Sequence, residues 1–128
     1  MGTKTQKQQI GQIGEDIACK FLVKHGYKII QRNYLKVFGE IDIICGKNGI
    51  IHFIEVKSVS RKTICDFSDE YRPEDNIHAN KLKRIGRTIQ TYIFENNLEQ
   101  EWKFDIVTVH LDHANKVASV NTMFDVIL

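Results

Sequence analysis

The sequence predicts an α/β (or α+β) domain with flanking helices and a mixed sheet of about five strands. Three observations point there. Apolar residues recur at helical spacing in two separate segments. Runs rich in isoleucine and valine fall between and after those segments. One pair of such runs is joined by Asn48-Gly49, a strong short-range hairpin signal. The expected order is α-β-β-β-α-β-β.

The first helix is expected from about Gln8 to His25, with Ile10, Ile13, Ile17 and Phe21 as its apolar row and Gly26 as its C-cap. A second row holds Gly11, Gly14, Glu15, Ala18 and Leu22. Two glycines cost a helix roughly 1 kcal/mol each. Something is expected to pack closely against that row, with Glu15 pointing at it. "YKIIQRNYL" (Tyr27–Leu35) reads as the first strand, and "GEIDIICGKNGIIHFIEVK" (Gly39–Lys57) as the hairpin of the next two. Ser58 to about Asp75 has no clear period and reads as a long loop carrying Arg61, Lys62 and Arg72. Ile77, Leu82, Ile85, Ile89 and Ile93 mark a second helix, to about Asn96. "EWKFDIVTVH" (Glu101–His110) and "KVASVNTMFDVIL" at the end supply the last two strands. The helices are expected one on each side of the sheet or both on one.

Bulk properties narrow the function classes. The 128 residues suit one domain, 1–128. The net charge of +2 gives no global basic signal, so a nucleic-acid partner would need a local patch. Cys19, Cys45 and Cys65 are far apart and odd in number, which suits free thiols rather than disulfides or zinc. The start, "MGTKTQKQQ", lacks a signal-type apolar run, and no apolar run approaches the ~20 residues of a membrane span. A cytoplasmic, membrane-free protein is expected.

The hairpin carries the chemistry. With Asn48 and Gly49 as a two-residue type I′ turn, Lys47 faces Ile50 and Ile44 faces Phe53. Continuing that register sets Asp42 opposite Glu55 and Glu40 opposite Lys57, all on one face. Ile41, Ile43, Cys45, His52, Ile54 and Val56 then share the other, core-facing side. Two opposed carboxylates repel, and a shared proton, a nearby cation or a bound metal must compensate. Hard cations such as Mg²⁺ take one or two carboxylates, with water and substrate phosphate completing the shell. Asp42 and Glu55 fit that role, and Lys57 is placed to orient a water or steady a phosphate. Together they describe a phosphodiester hydrolysis site. The plain alternative is a solvated cross-strand charge cluster.

These residues resemble the PD-(D/E)xK nucleases of the restriction-endonuclease-like fold. More narrowly, the chain resembles the YraN-type endonuclease-like family, related to archaeal Holliday junction resolvases. The matching stretches are "GQIGEDIACKFLVKHGYKIIQRNY" (Gly11–Tyr34), "GEIDIICGKNGIIHFIEVK" (Gly39–Lys57), "KLKRI" (Lys81–Ile85) and "KFDIVTV" (Lys103–Val109). The resemblance implies Asp42 and Glu55 as ligands of Mg²⁺ or Mn²⁺, Lys57 as the catalytic lysine and Glu15 as the first-helix acid completing the site. Two positions depart from the pattern. Val59 stands where the family has arginine, with Arg61 as the candidate substitute, and Ile89 stands where a small residue is usual.

Lys81, Lys83, Arg84 and Arg87 line a helical stripe, and with Arg61 and Lys62 they are placed to track a phosphate backbone. Lys81, Arg84 and Arg61 are the candidate nucleic-acid contacts. His110 and His113 form HxxH at a strand end, where a metal role is not expected. Tyr27, Tyr34, Phe53, Tyr92 and Trp102 read as packing aromatics. The functional expectation is a nuclease acting on DNA, structured or branched; branched DNA would favour a homodimer with two sites. The alternative is a binding module of the same fold without catalysis, acting with a partner.

Overall fold

The computed structural model describes residues 5–61, 79–112, 114 and 116–128, with Arg61 described by its backbone alone. The elements are α1 (Gln6–Lys24), β1 (Lys28–Lys36), β2 (Gly39–Lys47), β3 (Ile50–Arg61), α2 (Ala79–Glu95), β4 (Trp102–Asp112) and β5 (Val117–Met123). This is the expected order. The five strands form one mixed sheet in the order β1-β2-β3-β4-β5. Only β3 and β4 run parallel; the other neighbours are antiparallel.

Local chemistry explains the boundaries. Thr5 caps α1 through a capping box: its hydroxyl accepts from Gln8 N at 3.1 Å, and Gln8 Oε1 accepts from Thr5 N at 2.9 Å. At the other end Gly26 takes φ +90°, a left-handed value that ends the helix at low steric cost. Asn48 (φ 53°) and Gly49 (φ 78°) give the two positive angles of a type I′ turn. β3 runs beyond the expected hairpin to Arg61, so the start of the expected loop is strand. Lys62, Cys65, Arg72 and the rest of that loop, and Ile77 of the expected second helix, lie outside the described residues.

Both faces of the sheet are covered. Ile41, Ile44, Phe53, Phe104 and Ile106 pack with Ile85, Ile89 and Tyr92 of α2. Ile43, Cys45, Ile54, Val107 and Val109 pack with Ala18 and Leu22 of α1. Burial on both faces explains why β3 and β4 read as near-continuous apolar runs. The helices therefore lie one on each side. The expected packing aromatics all join these clusters, Tyr27 and Trp102 at their margins.

Two expectations need correction. The inward row of α1 is Gly14, Ala18 and Leu22, and Ile13 is 45 % exposed. The reason is proximity: a Cβ on Gly14 would fall 1.8 Å from Ser58 Oγ, so only small side chains fit beneath the helix. Ile10, Ile17 and Phe21 pack at its edges. Second, Ile41 does not share a face with Ile43 and Cys45. It packs on the α2 side, and they pack on the α1 side. The same reversal occurs on β1: Arg32, paired with Ile43, turns to α1, whereas Tyr34, paired with Ile41, turns to the α2 core. Between those two pairs lie Asn33, at φ 53°, and Asp42. The left-handed Asn33 interrupts the period-two alternation at the very strand position that carries the aspartate.

Candidate active site

The β2–β3 register is the expected one from the turn up to Ile43–Ile54, and there the ladder stops. Asp42 and Glu55, or Glu40 and Lys57, are not paired across it. The change of face at Asp42 causes this. Instead of standing beside Glu55 as a ladder partner, the Asp42 side chain turns inward, and its Oδ2 accepts from Val56 N at 2.8 Å.

Glu55 is buried on the α2 face of β3. Its Oε1 lies 2.7 Å from Lys81 Nζ of α2 and 3.3 Å from Lys57 Nζ two residues along the strand. Asp42 Oδ1 and Glu55 Oε2 take no part in these contacts. Burial, then the charge of Glu55, pushes the Asp42 carboxyl up from 3.8 to about 8, against the hydrogen bond from Val56. Burial, with help from Glu15 and Glu55, also raises Glu40. Burial and the adjacent Lys81 lower the Lys57 pKa, although Glu55 pulls the other way. For Lys81 burial is outweighed by the contacts with Glu55 and Lys57, and its pKa rises. The site thus holds more carboxylate than its two lysines comfortably neutralise.

Two clefts open at this end of the sheet, and Asp42 borders both. The α2-side cleft, about 380 Å³, is walled by Phe38, Glu40, Glu55, Lys81 and Arg84. Gly39 makes this approach possible, because a Cβ there would meet Thr88 Oγ1 at 2.4 Å and the Arg84 carbonyl oxygen at 3.1 Å. Arg87 is drawn aside and stacks over the Phe38 ring at 4.0 Å. The α1-side cleft, about 540 Å³, holds Glu15, Asp42 and Lys57.

The predicted residues therefore fall into three groups. Asp42, Glu55, Lys57 and Lys81 come together at the centre, with Arg84 on the wall of one cleft. Glu15 reaches the other cleft but is already engaged: Arg32 Nε and Nη2 donate to its Oε1 at 3.2 and 3.1 Å, and Nη2 also donates to Asp16 at 2.8 Å. Arg61 ends β3 opposite Asp112, and its side chain lies outside what is described. His113 is likewise outside. Arg32 is the residue that sequence reasoning missed. Its only local mark is Asn33, a residue type that tolerates the left-handed region, and that alone does not tell that the strand reverses its faces there.

A divalent ion suits this donor set. Among the described residues no three His, Cys, Asp or Glu side chains form a cage on their own. Mg²⁺-type ions rarely need one, because waters and substrate phosphate supply the remaining oxygens. A partly buried carboxyl held next to a second buried one, with its ionisation disfavoured, is the electrostatic mark of a place that a cation would relieve.

The profile of the uncharacterised protein family UPF0102 matches residues 14–109. The chain belongs to the UPF0102 family. This is the YraN-type group that its motifs resemble, and the matched span contains Glu15, Asp42, Glu55, Lys57, Lys81 and Arg84. A UPF0102 protein of Campylobacter jejuni is 38% identical over 102 residues, covering 80% of this chain and 84% of the relative. One from Campylobacter hominis is 36% identical over 121 residues, 94% of this chain and 99% of the relative. One from Helicobacter hepaticus is 35% identical over 99 residues, 77% and 82%. UPF0102 similarity thus extends over most of both chains. No helix among the described residues is long and apolar enough to cross a membrane.

Proposed function

We propose that the chain is a Mg²⁺- or Mn²⁺-dependent nuclease that hydrolyses phosphodiester bonds in DNA. The observation that carries this reading is the crowding of Asp42 against Glu55, with Lys57 and Lys81 on the same carboxylate. In this reading Asp42 and Glu55 hold the ion through their oxygens. The ion, when bound, supplies charge stabilisation at the phosphate and acidifies a water. Lys57 orients the attacking water and, with its lowered pKa, exchanges a proton with it at Nζ near neutral pH more readily than an ordinary lysine. Lys81 releases Glu55 to the ion and turns its ammonium to the phosphate. Arg84, on the cleft wall, meets the neighbouring phosphate of the strand. Glu15, fixed by Arg32, lines the α1-side cleft beside Asp42 and Lys57 and supports the site from that side.

One observation favours a second reading. Lys57 and Lys81 both reach Glu55, so that carboxylate is answered without an ion, as it would be in a nucleic-acid-binding module. Cleavage separates the two. Purified protein is incubated with Mg²⁺ or Mn²⁺ and single-stranded, duplex, flap and four-way-junction DNA, with Glu55→Ala purified identically. Cutting that requires the ion and falls at least about a hundredfold in Glu55→Ala supports the nuclease. Binding without cutting across the panel replaces it with the binding module.

A further inference from the structure

Two glycines three residues apart on α1 behave differently. Gly14 is wedged against Ser58, where no Cβ fits. Among the described residues nothing lies within 4 Å of where a Cβ on Gly11, one turn earlier, would be. It is exposed and its φ is not in the left-handed region. Glycine is a poor choice for a helix interior. Neither packing among the described residues nor backbone conformation requires it at this position. Gly11 lines the cleft between α1 and the end of β3 that contains Asp42 and Lys57.

The lining of that cleft is chemically mixed. Ile10 and Val56 offer apolar surface, Ser58 and Ser60 offer hydroxyls, and Lys7 stands at the helix end. Its inner end is closed by the Gly14–Ser58 contact. The cleft on the opposite face is the one with Lys81 and Arg84. A strand crossing the end of the sheet would lay one phosphate over Asp42, run its backbone along the α2 side and bring the next sugar and base to the α1 side.

We propose that the Gly11 cleft receives an unpaired nucleoside adjacent to the phosphate at Asp42, so that the substrate is single-stranded at the cut. This rests on the nucleic-acid reading of the site given above. A slot between a helix and a strand admits a base only when that base has left its stack; unstacking costs a duplex energy that a single strand or flap does not spend. The missing side chain at Gly11 gives the ring or sugar its room, with Ile10 and Val56 as its floor.

The test uses Gly11→Ala and Gly11→Leu in the full chain. Binding of a labelled single strand and of a blunt duplex of equal length is followed by fluorescence anisotropy in Ca²⁺, a cation that takes the same oxygen ligands. Melting temperature is recorded alongside. The wild type is expected to bind the single strand about tenfold tighter than the duplex. Gly11→Leu should lose about tenfold on the single strand, little on the duplex, and melt at or above the wild-type temperature. Gly11→Ala should fall between. This split between gained helix stability and lost binding is not produced by a glycine of purely structural importance. Equal affinity for strand and duplex, or unchanged binding by Gly11→Leu, overturns the proposal. So does a marked drop in its melting temperature, which would show that the chain itself fills the cleft. Loss of the Gly11 effect with cleavage intact removes only this inference. A Gly11 effect without cleavage keeps the cleft and removes the nuclease, and no nucleic-acid binding at all removes both.

Discussion

Asp42 and Asp105 sit on the two strands that flank β3, and their surroundings differ in one decisive way. Asp105 is fully buried and fully answered: His52 Nδ1 donates to its Oδ2 at 2.5 Å, and Asp125 N donates to its Oδ1 at 2.7 Å. Tyr27 packs edge-on against the His52 ring. Among the described residues Asp42 takes one hydrogen bond, from the Val56 amide, and feels the charge of a second carboxylate, Glu55. A buried charge with its own partners serves the fold. One left short of positive charge is of the kind that clusters at binding and catalytic sites. The same residue type, on the same sheet, thus has two carboxylate-oxygen partners at one end and a crowded, raised carboxyl at the other.

The sharpest way to break this contrast is to delete the structural member. Asp105→Ala strands the His52 ring and the Asp125 amide, and should cost about 3–5 kcal/mol in urea unfolding. Asp42→Asn keeps an acceptor for Val56 and should leave stability equal or higher. A larger loss at position 42 than at 105 would reverse the assignment.

A smaller effect comes from pH. The folded-state pKa of Asp42 stands at about 8 against an ordinary 3.8. Between those values the folded protein holds a proton that the unfolded chain has released, so stability is highest at low pH and falls as pH rises through the window. In metal-free buffer the wild-type melting temperature should decline over that range, and the Asp42→Asn profile should be flatter. Mn²⁺ added at the alkaline end should recover the wild type and not the variant. Identical profiles with and without the substitution would show that the carboxyl is not under this strain.

The smallest effect concerns the lysine that bridges the helix to the site. Lys81 is 34% exposed at its side chain, and Lys81→Ala should cost under about 1 kcal/mol of stability. Lys81→Ala with Arg84→Ala should weaken DNA binding and lower the slope of log affinity against log salt by roughly one per lost phosphate contact. An unchanged slope would place the DNA elsewhere.

Much of this architecture was legible in the chain. Asn48-Gly49 set the hairpin register, because a two-residue I′ turn permits only one. The helices and strands followed from periodicity, within a few residues. What escaped was non-local. Nothing near Arg32 in sequence tells that it will hold Glu15, since that contact depends on β1 reversing its faces at Asn33. Ile41 was misplaced for the same reason. His52 was read as one more inward side chain; its partner Asp105 lies on a strand brought alongside only after α2. The inward row of α1 was half legible, because its small residues were visible but the closeness of Ser58 was not. The hairpin brought Asp42, Glu55 and Lys57 to one end of the sheet, which is why those three were found, but the direct pairing expected of Asp42 with Glu55 and of Glu40 with Lys57 fails because the ladder stops at Ile43–Ile54; Lys81 reaches Glu55 only through the packing of α2.

The parallel pairing of β3 with β4 has a consequence for the order of events during synthesis. β3 is complete at Arg61, yet the strand that must lie against its inner edge begins only at Trp102. Until then a nascent chain carries Glu55 and Lys57 on a strand edge that lacks its β4 partner, and lacks the tail that clips onto β4 through Val126 N and the Phe104 carbonyl oxygen. The long-range pairing makes the last step slow relative to the local hairpin. The end of the sheet that holds Asp42, Glu55 and Lys57 thus closes last in effect though not in sequence, and a chain cut short before β4 would carry every side chain of the proposed site without the strand that completes it.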